Sequence, residues 1–219
     1  MSDHAHGTTP PFSEDAWDER YRSAQRVWSG NPNPQLVAEV AGLSPGRALD
    51  VGCGEGADAI WLARAGWTVV AADISGVALE RAAQHARDTD QSAAARIEWR
   101  RVDLLAHPPE ASSFDLVSAQ FMQLPPELRT ALFTSLAAAT RNGGMLLVVG
   151  HHPSDLDTGV RRPPMPEVFY VPEEIAGLLD GSWTVRTCEA RPRGATTPDG
   201  AEVTIHDTVL AAILGSTSQ

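Results

Sequence analysis

Residues 48–56 of the chain read Ala-Leu-Asp-Val-Gly-Cys-Gly-Glu-Gly, an apolar run that ends in glycines at alternate positions. Few folds accommodate such a stretch. Gly52, Gly54 and Gly56 can take positive φ, so a buried strand can turn sharply into a helix while the turn carries no side chains of its own. The helix that follows, expected over 57–65, would aim its N-terminal N–H groups at whatever lies against the bare backbone. A nucleotide-like ligand is implied.

The glycines alone admit two ligand classes. Gly52-Cys53-Gly54-Glu55-Gly56-Ala57 loosely satisfies the dinucleotide pattern G-x-G-x-x-G/A. The flanks add information. Asp50 stands two residues before the first glycine, and residues 67–73, Trp-Thr-Val-Val-Ala-Ala-Asp, read as a short buried parallel strand ending in an acid. Asp73 and its neighbour Ile74 lie roughly twenty residues beyond the turn, where a carboxylate reaches the hydroxyls of a ribose and disfavours a 2′-phosphate. A third strand over 96–102 ends at Asp103-Leu104, and a fourth, Phe-Asp-Leu-Val-Ser-Ala-Gln, covers 114–120. Asn142-Gly143-Gly144 reads as a helix stop before a buried strand over 145–150. Residues 182–193 and 202–214, joined by a loop rich in Gly, Thr and Pro, have the spacing of a long antiparallel hairpin.

An acid two residues before G-x-G-x-G resembles the first motif of class I S-adenosylmethionine-dependent methyltransferases, and Phe-Asp-Leu-Val resembles their fourth. The resemblance spans about 13–214. It implies an α/β fold: a Rossmann-like, seven-stranded, mostly parallel sheet with helices on both faces and a C-terminal antiparallel hairpin. It also implies S-adenosyl-L-methionine as cofactor. In that family pattern Asp50 helps fix the methionine ammonium, with backbone carbonyls of Gly52 and Gln120 beside it. Cys53, Gly54 and Gly56 complete the turn, Asp73 and Ile74 take the ribose, and Asp103 with the Leu104 N–H holds the adenine. Gln120 to Leu124 would face the transferred methyl. The expected reaction is in-line displacement by a sulfur, selenium, tellurium, nitrogen or oxygen nucleophile of a small molecule. A nicotinamide-dependent oxidoreductase would share the turn, but the chain's only tyrosines are Tyr21 and Tyr170, and it has no lysine to pair with either. A non-catalytic cofactor-binding module is the other alternative.

Upstream of the core, Ser13 is placed to cap a helix through about Ala24, and a second helix is expected over 34–43. Trp17-Asp-Glu-Arg-Tyr21 and Trp28-Ser-Gly-Asn-Pro resemble the N-terminal segment of thiopurine-type and tellurite-resistance-type small-molecule methyltransferases. Trp17, Tyr21 and Trp28 then form either a lid over the cofactor or ordinary core. His151 and His152 follow the fifth strand at the edge where open parallel sheets bind ligands, so either could serve as a base or simply pair with a carbonyl. His206-Asp207 reads as a surface or hairpin pair, and 161–166 as a loop over the active edge. No metal site is expected, since His151, His152, Asp155 and Asp157 lack a compact ligand spacing.

With 219 residues, one α/β domain over 13–219 is expected, comprising a helical lid (13–44) and a core (45–219) after a disordered tail (1–12). Lys+Arg 17 against Asp+Glu 28 gives a net charge of −11, which repels phosphate backbones, so no nucleic-acid partner is expected. Residues 1–12 resemble no signal peptide and no run is long enough to span a bilayer, so a cytoplasmic protein with no membrane partner and free thiols at Cys53 and Cys188 is expected.

Overall fold

The computed structural model describes residues 12–215; the expected tail, apart from Phe12, lies outside them. Phe12 is half-buried and packs on the core. The elements run α1 (Glu14–Arg22), α2 (Pro34–Val40), β1 (Arg47–Val51), α3 (Ala57–Arg64), β2 (Thr68–Asp73), α4 (Gly76–Thr89), α5 (Gln91–Ala94), β3 (Ile97–Arg101) and β4 (Phe114–Gln120). They continue with α6 (Pro126–Ala139), β5 (Thr140–His151), two short 3₁₀ turns, α7 (Pro172–Ala176), β6 (Trp183–Thr196) and β7 (Glu202–Leu214). The seven strands form one sheet in the order β3-β2-β1-β4-β5-β7-β6. β1 to β5 are parallel, and β7 enters antiparallel between β5 and β6. The strand order reverses between β1 and β4, which opens a crevice at their carboxyl ends.

Alternation of side chains gives each strand two buried faces. Ala48, Val69, Leu116, Leu147 and Val209 point to the side covered by α2 and α3. Leu49, Val70, Val117, Val148 and Leu210 point to the side covered by α6 and α7. At 7 residues, α2 is too short to persist alone. Leu36 and Val40 anchor it in the core, each stabilising by about 1.5–3 kcal/mol. Polar contacts brace it to the hairpin: Arg191 Nη2 donates to Glu39 Oε1 at 2.6 Å, and Gln35 Nε2 to Asp207 Oδ2 at 3.0 Å.

Two expectations are corrected. Of the two readings of His206-Asp207, the hairpin one holds, since both pair with β6, but Asp207 is no surface residue: it is 1 % exposed and accepts from Arg193 Nε at 2.8 Å and from Gln35, because the hairpin folds back under α2. Nor does the helix stop at Asn142-Gly143-Gly144. α6 ends at Ala139, where Thr140 Oγ1 donates to Leu136 O at 3.1 Å and the chain turns extended at once. Residues 141–144 instead make an irregularity within the β4–β5 pairing, with Gly143 at φ +78°.

Gly56, which starts α3 at φ +82°, has no room for a side chain: a Cβ there would lie 2.6 Å from the Trp99 ring and 2.9 Å from Ala82. Gly143 has a similar φ and open space around it. Gly143→Ala should therefore cost only the left-handed backbone strain, about 1–2 kcal/mol. Gly56→Ala should add about 1–3 kcal/mol of overpacking. Urea denaturation of both variants checks this; equal losses would contradict the tight packing of the turn against β3.

Candidate active site

The glycine turn is held from the side by β2. Gly52 N–H and Cys53 N–H both donate to Ala72 O, at 2.8 and 3.1 Å, and Gly54 N–H donates to Asp73 Oδ2 at 2.8 Å. Gly56 N–H closes on Cys53 O at 2.9 Å. The donors that a phosphate-binding turn would show to its ligand are spent inside the protein. The same holds at the start of α3, where the Ala59 N–H is taken by the Asp50 carboxylate. The expectation that this helix aims its N–H groups at a ligand is narrowed by one: a buried acid takes the Ala59 N–H.

Acids surround the turn. Asp50 is 1 % exposed and its Oδ2 has no hydrogen-bond partner. Burial, with Asp58 and Asp73 nearby, pushes its carboxyl well above the usual range. Burial likewise lifts Asp58 to about 6, although its Oδ1 accepts the Asn33 N–H at 2.6 Å. Asp73 is raised by burial too, against the N–H groups of Ser75 and Gly54 that bond its two oxygens. The Ile74 N–H lowers it as well, and with three of about four lone-pair sites taken the carboxylate keeps one for a further donor. Cys53, in the middle of the turn, is driven far up by burial and by Asp50, which leaves an inert thiol.

Beyond β2 and β3 lies a cavity of about 690 Å³, lined by Phe12, Ser13, Glu14, Ile74, Arg101, Val102, Asp103 and His107. Asp103 Oδ1 accepts the Leu105 N–H at 2.9 Å, which fixes the carboxylate at the cavity rim. Leu104 follows Asp103 on the same connection and packs against the core. An ion pair between Glu14 and Arg101 joins α1 to β3 across the cavity.

The N-terminal segment is strapped onto the turn itself. Glu55 Oε2 accepts the N–H groups of Val27 and Trp28 at 3.0 and 3.1 Å. Asp18, buried on α1, accepts from Ser75 Oγ at 2.6 Å, and that bond with those from Val77 and Arg22 holds its carboxyl low despite the opposing cost of burial. Tyr21 is 3 % exposed, with its hydroxyl 2.9 Å from where a Gly54 Cβ would stand; Trp28 Nε1 donates to that hydroxyl at 3.0 Å. Trp28 is 45 % exposed, so it is no core residue. Trp17 stacks near Tyr21, with ring centroids 6.1 Å apart. Glu55, Asp18 and Asp58 went unread in the sequence, although Glu55 and Asp58 lie within or next to the glycine motif.

The opposite half of the crevice is aromatic. Met122 overhangs Gly52, its sulfur 2.5 Å from where a Cβ would stand. Phe121 adopts φ +55°, a strained conformation for a bulky residue, and its ring lies 4.6 Å from that of His151. Gln120 Nε2 donates to Ser118 Oγ at 2.8 Å, leaving Gln120 Oε1 buried without a partner. The two histidines part company. His152 caps a 3₁₀ turn, its Nδ1 accepting the Ser154 N–H at 3.2 Å. His151 sits beside Phe121 with Nδ1 unpartnered, and burial, then Arg162 and Arg193, push its pKa down to about 3. The loop over 161–166 is pinned by Arg162, whose Nη2 donates to the buried Asp155 at 2.7 Å.

A family profile described as a methyltransferase domain matches residues 48–144. A 2-heptyl-1-hydroxyquinolin-4(1H)-one methyltransferase of Mycobacteroides abscessus is 27 % identical over 184 residues, covering 78 % of each chain. Thiocyanate methyltransferase 1 of Brassica oleracea is 27 % identical over 194 residues, covering 86 % of this chain and 82 % of its own. The crystal structure of magnesium protoporphyrin IX methyltransferase from Synechocystis PCC 6803 with bound S-adenosylhomocysteine superposes with a TM-score of 0.64 at 20 % identity, over 93 % of this chain and 98 % of the other.

The raised acids predict how binding depends on pH. A ligand ammonium beside them favours their ionised forms, so protons held in the free protein are shed on binding. Affinity for S-adenosylhomocysteine should therefore climb as pH rises through about 6, by up to about tenfold per unit for each proton released, and level off above the free-state values. Calorimetry in buffers of different ionisation heat reads this directly; a flat profile with no proton release would contradict it.

Proposed function

We propose a cofactor cradle and an acceptor side for this chain, which belongs to the class I S-adenosylmethionine-dependent methyltransferases. It is an enzyme that transfers a methyl group from S-adenosylmethionine to a small molecule. The observation that carries the cradle is the ring of acids around a turn whose N–H groups are already spent. A pyrophosphate would meet carboxylates and few free donors there, whereas a nucleoside bearing an ammonium and a sulfonium meets the charges it needs.

In this reading the buried Asp50 Oδ2 takes the methionine ammonium, with Gln120 and the Gly52 carbonyl beside it. Cys53, Gly54 and Gly56 give the cofactor a bare floor. The lone-pair site left on Asp73 accepts a ribose hydroxyl next to Ile74. Asp103 meets the adenine in the cavity beyond β2 and β3, with the Leu104 N–H beside it; the cavity's size is ordinary for such a group. Trp28, with Tyr21 and Trp17, forms a lid. Bound there, S-adenosylmethionine supplies a methyl on a positively charged sulfur. The protein's own work is to hold the acceptor in line and keep water out, for which orientation alone can contribute up to about 7–11 kcal/mol.

The two curated relatives frame the acceptor question, one named for a hydroxyquinolinone and the other for thiocyanate. A flat heteroaromatic and a small anion make opposite demands on a pocket. The net charge of −11 argues against nucleic-acid acceptors, and among the described residues no helix is long and apolar enough to cross a membrane. We read the described residues as a single domain with N-terminal lid, working in the cytoplasm.

Asp73→Ala should weaken cofactor binding by about 1.5–3 kcal/mol, the range for hydrogen bonds to a charged group. It should also lower the melting temperature, since Gly54 and Ser75 lose their partner. Unchanged affinity in the folded variant would remove Asp73 from the ribose. Trp28→Ala should separate differently: being half-exposed, it should leave the melting temperature nearly unchanged while cofactor affinity and turnover fall. A large loss of stability with affinity intact would defeat the lid.

A further inference from the structure

Asp50 Oδ2, Gln120 Oε1 and His151 Nδ1 are buried polar atoms without a hydrogen-bond partner; the two oxygens are acceptors, and the imidazole nitrogen is one when the proton sits on Nε2. Their strands β1, β4 and β5 are neighbours, and by side-chain alternation all three residues fall on the sheet face covered by α2 and α3, at the carboxyl ends. Folded proteins leave few such groups unpaired, because each costs about 1–3 kcal/mol. A row of acceptors calls for a row of donors. Asp50 and Gln120 stand at the cofactor's ammonium in the reading above; His151 is one strand further along, on the acceptor side.

The surroundings of His151 narrow what can meet it. Its ring lies 4.6 Å from Phe121, whose strained backbone is fixed by an N–H bond to Val149 O at 2.7 Å, and 6.1 Å from Phe169. The charged groups that face it are Arg162 and Asp155 from the loop after β5 and Arg193 from β6. Both arginines are already engaged with buried carboxylates, Arg162 with Asp155 and Arg193 with Asp207. Little positive charge is left over to hold a bare anion, and an anion would also face the imidazole lone pair. A flat molecule with a hydrogen to give meets both an aromatic wall and an acceptor.

We propose that His151 Nδ1 receives the hydrogen of the acceptor's nucleophilic group, and that the site takes flat, uncharged aromatic or heteroaromatic molecules bearing a hydroxyl or ring N–H. This rests on the cofactor assignment above. The nucleophile's bond to the methyl carbon forms as the sulfur–carbon bond breaks, the electron pair of that bond goes to sulfur, and the nucleophile's proton passes to Nδ1. A weakly basic imidazole suffices, because a methylated oxonium or ammonium is a far stronger acid than its parent. Next to Arg162 and Arg193 the imidazolium then loses its proton readily to solvent.

The test is calorimetry on S-adenosylhomocysteine-loaded protein with 4-hydroxyquinoline and its O-methyl ether, which lacks the donor, in wild type, His151→Phe and His151→Asn. Wild type should prefer the hydroxy compound by about tenfold, the size of one hydrogen bond. His151→Phe should lose the preference, and His151→Asn, whose Oδ1 can accept in place of Nδ1, should keep much of it. Turnover of the hydroxy compound should fall in both variants, while thiocyanate and iodide should be poor acceptors throughout. No preference in wild type, a preference unchanged in His151→Phe, or better turnover of the anions would overturn the proposal. Failure of S-adenosylhomocysteine to bind wild type would instead defeat the cofactor reading beneath it, and the melting temperature of each variant with S-adenosylhomocysteine confirms that it is folded.

Discussion

The structure depends on how the end of β2 grips the glycine turn. Three consecutive backbone N–H groups, from Gly52, Cys53 and Gly54, are consumed by Ala72 O and the Asp73 carboxylate. That grip fixes the positive φ values of the turn, sets the start of α3 against Trp99, and decides the electrostatics of the crevice. With its donors spent and Asp50, Asp58 and Asp73 buried around it, the turn sets carboxylates along a backbone path that elsewhere serves anions, which is the basis for reading it as a cation site. Each buried acid is raised for the same reason, desolvation, and each is relieved when a positive ligand arrives.

A second consequence is a division of charge along the sheet edge. The half around the glycine turn is acidic, and the half around His151 carries aromatic rings, a neutral histidine and arginines matched to buried carboxylates. The antiparallel insertion of β7 makes this possible, since it brings Asp207 and β6's Arg191 and Arg193 under α2. The N-terminal segment is tied to the same frame through Glu55 and Asp18, which bond it to the glycine turn and to the start of α4.

Much of this was legible in the sequence because it depends on local constraint. The glycine spacing, the acids at the ends of β2 and β3, and Phe-Asp-Leu-Val at β4 are each confined to a few residues, and β4 and β7 fall on their expected boundaries. What was not legible depends on distant pairs. That Asp207 is buried requires knowing that Gln35 of α2 reaches it, and that His151 lies against an aromatic wall requires the positions of Phe121 and Phe169. That the N–H groups of Gly52, Cys53 and Gly54 are taken by the end of β2 is equally hidden, because sequence reveals where donors lie, not which neighbouring strand has already taken them.

The claim at the centre is that the unpartnered oxygen of Asp50 receives the cofactor's ammonium. A chemical double cycle tests it: the affinities of S-adenosylhomocysteine and of its analogue lacking the α-amino group, measured by calorimetry in wild type and in Asp50→Asn. The account predicts that wild type strongly prefers the amine and that Asp50→Asn loses most of that preference, the two changes coupling by more than about 1 kcal/mol. An equal preference in both proteins would place the ammonium elsewhere and contradict the account.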